Sequence, residues 1–453
     1  MTHVPDIAPG RLAPEDYAKS FDDMAPPLNG RQAVIEASRC YFCYDAPCVD
    51  ACPTGIDIPG FIRKIGTGNL KGSAVTILEQ NIMGGMCARV CPTEILCEGS
   101  CVRNTAESKP VAIGALQRHA TDWLFERDIQ PFARQPASGR RVAVVGAGPA
   151  GLSCAHRLAQ LGHEVTVFEA QEKAGGLNEY GLAAYKTPGG FAQREVDFIL
   201  SIGGITVETG RQLGRDLFLE ELRRDYDAVF LGLGHNAVNA LGVEGEELSG
   251  VMNAVDFIAG LRQAGSLATV PVGRKVVVIG GGNTAIDAAT QARLLGAEDV
   301  TLVYRRGPEA MSATLAEQEW AQTNGVRIKH WAMPRRLLGW QGAVKEVEFE
   351  YTRLDEAGRL AGTGETFTIL ADQVFKAIGQ RFVPSPLTAN ALETLELVDG
   401  RIAVNEERET SVPGVYAGGD CTAGIDLTVS AVQHGKLAAH AIDARLRAVA
   451  AAA

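Results

Sequence analysis

RVAVVGAGPAGLSCAHRLAQLGHEVTVFE, residues 141–169, decides how most of this chain folds. Arg141 to Val145 is a short apolar, β-branched run of the kind buried inside a parallel sheet. It enters the turn Gly146-Ala-Gly148-Pro149-Ala150-Gly151, continues into a helical stretch to Leu161, and returns as a strand from Glu164 to Phe168. That strand closes on Glu169, 23 residues after Gly146. Strand, glycine turn, helix, strand and acid form the dinucleotide fingerprint in its required context. Gly146 permits the tight turn, Gly148 lets the backbone approach a pyrophosphate, and Gly151 lets helix and strand pack closely. The helix N-terminus attracts phosphate charge, and Glu169 is placed to accept hydrogen bonds from a ribose diol.

A second copy follows. Lys275 to Ile279 leads into Gly280-Gly-Gly282-Asn283-Thr284-Ala285, a helix to Leu295 and a strand from Val300 to Tyr304. Here the second strand ends in Arg305 and Arg306 in place of an acid, which suits a ribose 2′-phosphate and leans this unit towards NADPH. Two fingerprints with different strand-end chemistry imply two nucleotides: FAD at the first and the nicotinamide at the second. The C-terminal run GVYAGGD (414–420) supports this, because Gly419-Asp420 offers a carboxylate to flavin ribityl hydroxyls. A helix beginning at Thr428 and Val429 then presents its N-terminus to negative charge on a reduced flavin. The first nucleotide unit is thus interrupted by the second.

Upstream, eight of the ten cysteines fall between Cys40 and Cys101. Cys40, Cys43, Cys48 and Cys52 read C-x2-C-x4-C-x3-C, followed by Pro53. Cys87, Cys91, Cys97 and Cys101 read C-x3-C-x5-C-x3-C, with Pro92 after Cys91. Two quartets with Cys-Pro steps point to a pair of iron–sulfur clusters, and the last cysteine of such a run often serves the other cluster. Structural zinc is the competing use, but zinc favours paired C-x2-C knuckles, and only Cys40 to Cys43 has that spacing. From spacing alone all eight cysteines are ligand candidates. Cys97 and Cys101, four apart, would share one face of a helix.

Residues 1–30 read as an irregular arm, Arg31 to Cys40 as a helix, Ile58 to Asn81 as two helices broken around 66–72, and Ile113 to Phe125 as an amphipathic helix. The linker QPFARQPASG (130–139) sets the first boundary. The domains expected are a helical iron–sulfur domain (1–138), a discontinuous FAD domain (139–236 and 374–453) and a NAD(P) domain (237–373). The fold class is therefore α/β, an α-helical double [4Fe-4S] domain before two nested Rossmann-like domains.

Composition agrees. Hydrophobic residues make up 46% and charged residues 21%, ordinary for globular cores, and 453 residues suit about three domains. A net charge of −11 argues against nucleic acid or an anionic membrane as partner. No apolar run approaches the roughly 18 residues a membrane span needs, and the N-terminus lacks the features of a signal peptide. Clustered cysteines suit a reducing compartment, so the expectation is a soluble cytoplasmic protein. No Ser/His/Asp arrangement is present, and His434 reads as helix surface.

The nested arrangement resembles the flavin- and nicotinamide-dependent disulfide-reductase superfamily. Residues 237–373 contain no cysteine, which sets aside the dithiol-reducing thioredoxin reductase branch. With EASRCYFCYDAPCVDACPTGIDIPGFI (36–62), CARVCPTEILCEGSC (87–101), VVGAGPAGLSCA (144–155), GGGNTAID (280–287) and AGGDCT (417–422), the chain resembles two related proteins, the electron-input half of dihydropyrimidine dehydrogenase and the glutamate synthase small subunit. The resemblance implies one cluster on Cys40, Cys43, Cys48 and Cys101, and another on Cys52, Cys91, Cys97 and Gln117, leaving Cys87 free. It places Gly176 and Lys186 at the flavin, although the usual Gly-Ile-Pro-x-Phe run is replaced by GLAAYK (181–186). Ser312 stands where an NADPH-specific relative carries a second arginine, so the nicotinamide stays NAD(P)H. The implied activity takes hydride from NAD(P)H onto FAD and passes electrons through two [4Fe-4S] clusters to an FMN-containing partner that reduces uracil or thymine, the two forming a heterotetramer. The alternatives are a glutamate synthase small subunit and a free-standing electron-transfer flavoprotein.

Overall fold

In a computed structural model, which describes residues 11–384 and 395–452, the two fingerprints seed two parallel five-stranded sheets. The first sheet runs in the order Val415–Ala417, Ala228–Leu231, Arg141–Val145, Glu164–Glu169, Ile205–Thr209. Val144 faces Val167 on one side and Phe230 on the other, so the fingerprint strand is central and fully covered, as its unbroken apolar run requires. The second sheet repeats the plan: Val251–Asn253, Gln373–Ala377, Lys275–Gly280, Asp299–Val303, Arg327–Lys329. In both, the glycine turn leaves the carboxyl end of a central strand, where open α/β sheets bind ligands.

The chain divides into two compact units. One comprises Ala25–Glu179, Gly189–Asn236 and Phe382–Ala453, and so joins the cysteine region to the first sheet. Its N-terminal part is all helical. Asn29 and Gln32 form a reciprocal capping box at the start of Gly30–Ser38. Asp57 accepts from Gly60 N at 2.9 Å to open Ile58–Gly66, and Asn69 accepts from Gly72 N at 2.9 Å to open Leu70–Gln80. Helices Gly84–Val90 and Ile113–Phe125 complete the layer. The long helix Thr428–Ala452 packs on the fingerprint helix Pro149–Gln160. Ser153 Oγ donates to Val432 O at 2.7 Å, and a Cβ on Gly435 would lie 2.1 Å from Ala150 O, so only glycine permits this crossing.

The other unit comprises Tyr180–Pro188, Ala237–Arg381 and the N-terminal segment up to Met24. Its core gathers Val276, Val278, Ile286, Ala289, Val300, Leu302 and Phe375 around the second sheet. A three-stranded antiparallel sheet, Ala332–Trp340, Ala343–Leu354 and Leu360–Leu370, accompanies it.

Several expectations change. The arm is not irregular throughout: Pro14–Ser20 is a helix, and its Tyr17, with Phe21 just after it, is buried in the second core. Residues 1–10 lie outside the described residues. Cys97 and Cys101 do not share a helix face, because Leu96 to Ser100 is a series of turns. The strand Gln373–Ala377 carries the second sheet past residue 373, and Tyr180–Pro188 is counted with that unit.

Candidate functional site

The cysteines separate into two cavities. Cys40, Cys43, Cys48 and Cys101 line the first, with Tyr41, Ile58, Ile62 and Arg103. Cys52, Cys91, Cys97 and Gln117 line the second, with Cys87, Asn81 and Val429. The loop at 96–101 thus feeds one cysteine to each cavity. Among the described residues no three His, Cys, Asp or Glu side chains converge on a single metal ion. Cys thiolates are the ligands of four-iron clusters, and each cavity is lined by at least three cysteines.

Charge tells the same story. Burial first, and then the charges of Cys40 and Cys101, push the Cys48 thiol up to about 12. Burial, with Glu98 nearby, raises Cys97 as well. A hydrogen bond with Cys87, followed by burial, raises Cys91. Crowded thiols of this kind become thiolates only when cations enter among them. The donor set therefore fits iron–sulfur clusters.

Cys87 and Gln117 are both at the second cavity. Cys87 sits one helical turn before Cys91 and is buried. Gln117 Nε2 donates to Gly84 O at 2.7 Å, which leaves Oε1 as the side chain's remaining polar atom.

The flavin-type cradle lies in the same unit. Gly146 has φ +98°, and a Cβ there would meet Gly232 O at 2.2 Å. A Cβ on Gly151 would meet Gly146 O at 1.9 Å, and one on Gly176 would meet Gly148 Cα at 2.7 Å. These glycines leave bare backbone at the helix N-terminus headed by Pro149 and Ala150, as a pyrophosphate requires. Glu169 is buried, its carboxylate accepting from Ala147 N at 2.7 Å and Gln171 N at 2.8 Å, so it is locked beside the turn. At the far edge Gly419 and Asp420 follow the strand Val415–Ala417; burial, reinforced by Asp426, raises Asp420 above the usual carboxylate range.

His434 is not helix surface. Its Nδ1 accepts from Gly419 N at 3.1 Å, and burial lowers it to about 4, so it is neutral and shapes the Gly-Asp turn. Thr428 Oγ donates to Asn178 Oδ1 at 2.9 Å, while Val429 reaches the second cysteine cavity. One helix thus touches both the flavin cradle and the cysteines. Sequence reasoning also missed Lys436, whose ammonium donates to Thr54 O, Gln80 O and Gln80 Oε1, each at 3.0 Å. It missed Glu195, whose Oε1 accepts from Gly85 N and Met86 N, both at 2.9 Å, at the head of the Cys87–Cys91 helix. Neither carries a local motif.

In the other unit, Gly280 has φ +152°, and a Cβ there would meet Ala377 O at 2.2 Å. Gly282 precedes the helix Asn283–Leu294, whose first turn contains Thr284 and Ala285. Asn283 Oδ1 is buried without a partner among the described residues, an orphan acceptor that suits a nucleotide. Arg305 and Arg306 are exposed, with no ion pair among the described residues. Ser312 Oγ donates to Gly281 O at 3.4 Å, beside the turn. Lys186 is buried between Asp287 and Glu317, 2.7 Å from each, and this pairing raises its pKa against the opposing effect of burial. Its ammonium is committed to those two carboxylates within this unit.

A family model for pyridine nucleotide-disulphide oxidoreductases matches residues 140–435, and one for dihydropyrimidine dehydrogenase domain II, 4Fe-4S cluster, matches residues 17–129. The NAD-dependent dihydropyrimidine dehydrogenase subunit PreT of Salmonella typhimurium is 36% identical, covering 93% of this chain and 96% of that protein. The glutamate synthase [NADPH] small chain of Escherichia coli is 34% identical, with 93% of each covered. Among solved structures, FprA of Mycobacterium tuberculosis in complex with NADPH is 21% identical, has a TM-score of 0.55 and covers 70% of this chain and 86% of that one. Thioredoxin reductase of T. acidophilum is 24% identical, with a TM-score of 0.52, covering 68% and 99%. The cofactors are FAD, NAD(P)H and 4Fe-4S clusters, and the activity is that of an NAD(P)H-dependent oxidoreductase. Among the described residues no helix is long and apolar enough to cross a membrane.

Proposed function

The chain belongs to the pyridine nucleotide-disulphide oxidoreductase family, and from that premise we propose that it is the electron-input subunit of a dihydropyrimidine dehydrogenase. It takes hydride from NAD(P)H onto FAD and delivers electrons through two [4Fe-4S] clusters to an FMN-containing partner subunit that reduces uracil or thymine to the 5,6-dihydropyrimidine. The observation that carries this reading is the separation of the cysteines into two cavities, the second of which shares Val429 with the flavin-side helix.

The functional plan has three parts, exit, flavin and nicotinamide, with the nicotinamide part extending through the strand Gln373–Ala377. Hydride acceptance and one-electron transfer are supplied by the bound cofactors. The protein's residues position them. Gly146, Gly148, Gly151 and Gly176 keep backbone clear for the FAD pyrophosphate; Glu169 and Asp420 orient ribose and ribityl hydroxyls. Gly280, Gly282 and Asn283 do the same for NAD(P)H. Cys52, Cys91, Cys97 and Gln117 hold the cluster nearer the flavin, and Cys40, Cys43, Cys48 and Cys101 hold the outer one, in a cytoplasmic, reducing setting.

A second reading has support from the glutamate synthase relative: the same device feeding a glutaminase-bearing subunit. Anaerobic mixing of the chain with each candidate partner distinguishes them. Uracil-dependent NAD(P)H oxidation is expected with the FMN subunit, and glutamine-dependent oxidation in the presence of 2-oxoglutarate with the large glutamate synthase subunit would support the alternative.

A further inference from the structure

Asn81 closes the helix Leu70–Gln80 and is fully buried. Its backbone N–H donates to Ile77 O at 2.9 Å, and its Oδ1 accepts from Met83 N at 3.1 Å. The first holds the backbone at the helix end, and the second orients the carboxamide through its oxygen. Its Nδ2 has no hydrogen-bond partner among the described residues, although Asn81 lines the cavity with Cys52, Cys91, Cys97 and Gln117. Leaving a buried amide N–H unpaired is costly, so such a group is normally satisfied by whatever fills the space beside it. The other side-chain amide of the lining, Gln117 Nε2, is already occupied by Gly84 O.

We propose that Asn81 Nδ2 donates a hydrogen bond to a sulfur of the cluster held in this second cavity, and thereby sets that cluster's reduction potential. The proposal rests on the two-cluster reading above. A donor to cluster or thiolate sulfur stabilises the more negatively charged reduced state, so it raises the potential. At the cavity touched by Val429 this makes the inner cluster a better acceptor for electrons leaving the flavin side. The first cavity is tuned otherwise: Phe42 N donates to Cys40 Sγ at 3.4 Å, and Arg103 is in the lining.

The test is an anaerobic, EPR-monitored redox titration of the intact holoprotein, with iron counted first. Asn81→Asp keeps the acceptor for Met83 N and loses the donor; Asn81→Leu loses both without adding charge. Both are expected to retain the wild-type iron content and to shift the inner cluster's reduction about tenfold towards the oxidised form, which is 59 mV for one electron. The outer cluster stays unchanged. Ile56→Val, which trims an equally buried lining residue that has no donor, leaves both unchanged.

Unchanged potentials in both Asn81 variants at full iron content would overturn the proposal. So would an equal shift of both clusters, the same shift in Ile56→Val, or loss of the inner cluster from both variants, which would make Asn81 an assembly residue. Wild-type protein carrying only one cluster overturns the two-cluster reading instead.

Discussion

Lys436 Nζ donates to Thr54 O at 3.0 Å, joining the flavin-side helix to the loop that carries Cys52. The same ammonium takes Gln80 O and Oε1, next to Asn81. One side chain therefore ties the flavin-side helix to the segments that carry Cys52 and Asn81. Lys436→Met keeps the apolar stem and removes all three bonds. It is expected to cost about 2 kcal/mol of stability and to slow electron transfer out of reduced flavin, while iron content stays the same. Stopped-flow reoxidation of flavin, beside a thermal melt and an iron assay, measures all three.

Glu195 makes a pH prediction. Burial raises its carboxyl to about 8, against the opposing effect of the Met86 and Gly85 N–H groups and Arg89. The folded protein then holds a proton that the unfolded chain releases near the ordinary value. Stability from this group is complete below about pH 4.5 and is lost as pH rises through about 8, with a slope approaching about 1.4 kcal/mol per pH unit between them. Glu195→Gln keeps an acceptor for both N–H groups and carries no charge. Its melting temperature should match wild type at pH 5 and exceed it at pH 8.5; equal pH profiles would remove the assigned cause.

In the proposed assignment Gln117 rather than Cys87 is the last ligand of the inner cluster, and both residues line that cavity. With its amide nitrogen tied to Gly84 O, Gln117 presents an oxygen, whereas Cys87 hydrogen-bonds Cys91. Cys87→Ala is expected to retain about eight irons per chain and Gln117→Ala to lose iron from one cluster. The reverse pattern makes Cys87 the ligand.

Arg305 and Arg306 follow the strand Asp299–Val303 in an exposed bend, without ion-pair partners among the described residues. Replacing both with alanine should raise KM for NADPH about tenfold or more and leave KM for NADH nearly unchanged, because only NADPH carries a 2′-phosphate. Equal effects on the two would mean these arginines read the shared part of the dinucleotide.

Much of this was legible because it is local. Strand, glycine turn and helix at 141–161 and 275–295 are set by short-range sterics, and both fold as read. The helices of the cysteine region are read from periodicity, and the structure adds the Asn29, Asp57 and Asn69 caps that start them. What escaped depends on distant partners. Asn81, Lys436, Glu195 and His434 look ordinary in sequence and gain their roles only when other segments arrive. The helix at Pro14–Ser20 hid in a polar stretch because Tyr17 and the adjacent Phe21 provide its main apolar anchors. Cys97 and Cys101 carried helical spacing, but their loop is bent by turns that feed separate cavities.

The central claim, that electrons enter at the nicotinamide and leave through the outer cysteine cavity to a separate subunit, is most directly tested with Cys48→Ser. Holoprotein and variant are each assayed anaerobically for flavin bleaching by NADH and NADPH, and then, with the FMN subunit added, for uracil reduction. The account predicts that both proteins bleach alike, that neither reduces uracil alone, and that only the wild type does so with the partner. Uracil reduction by the single chain, or undiminished coupled turnover by a Cys48→Ser protein shown to lack its outer cluster, would contradict it.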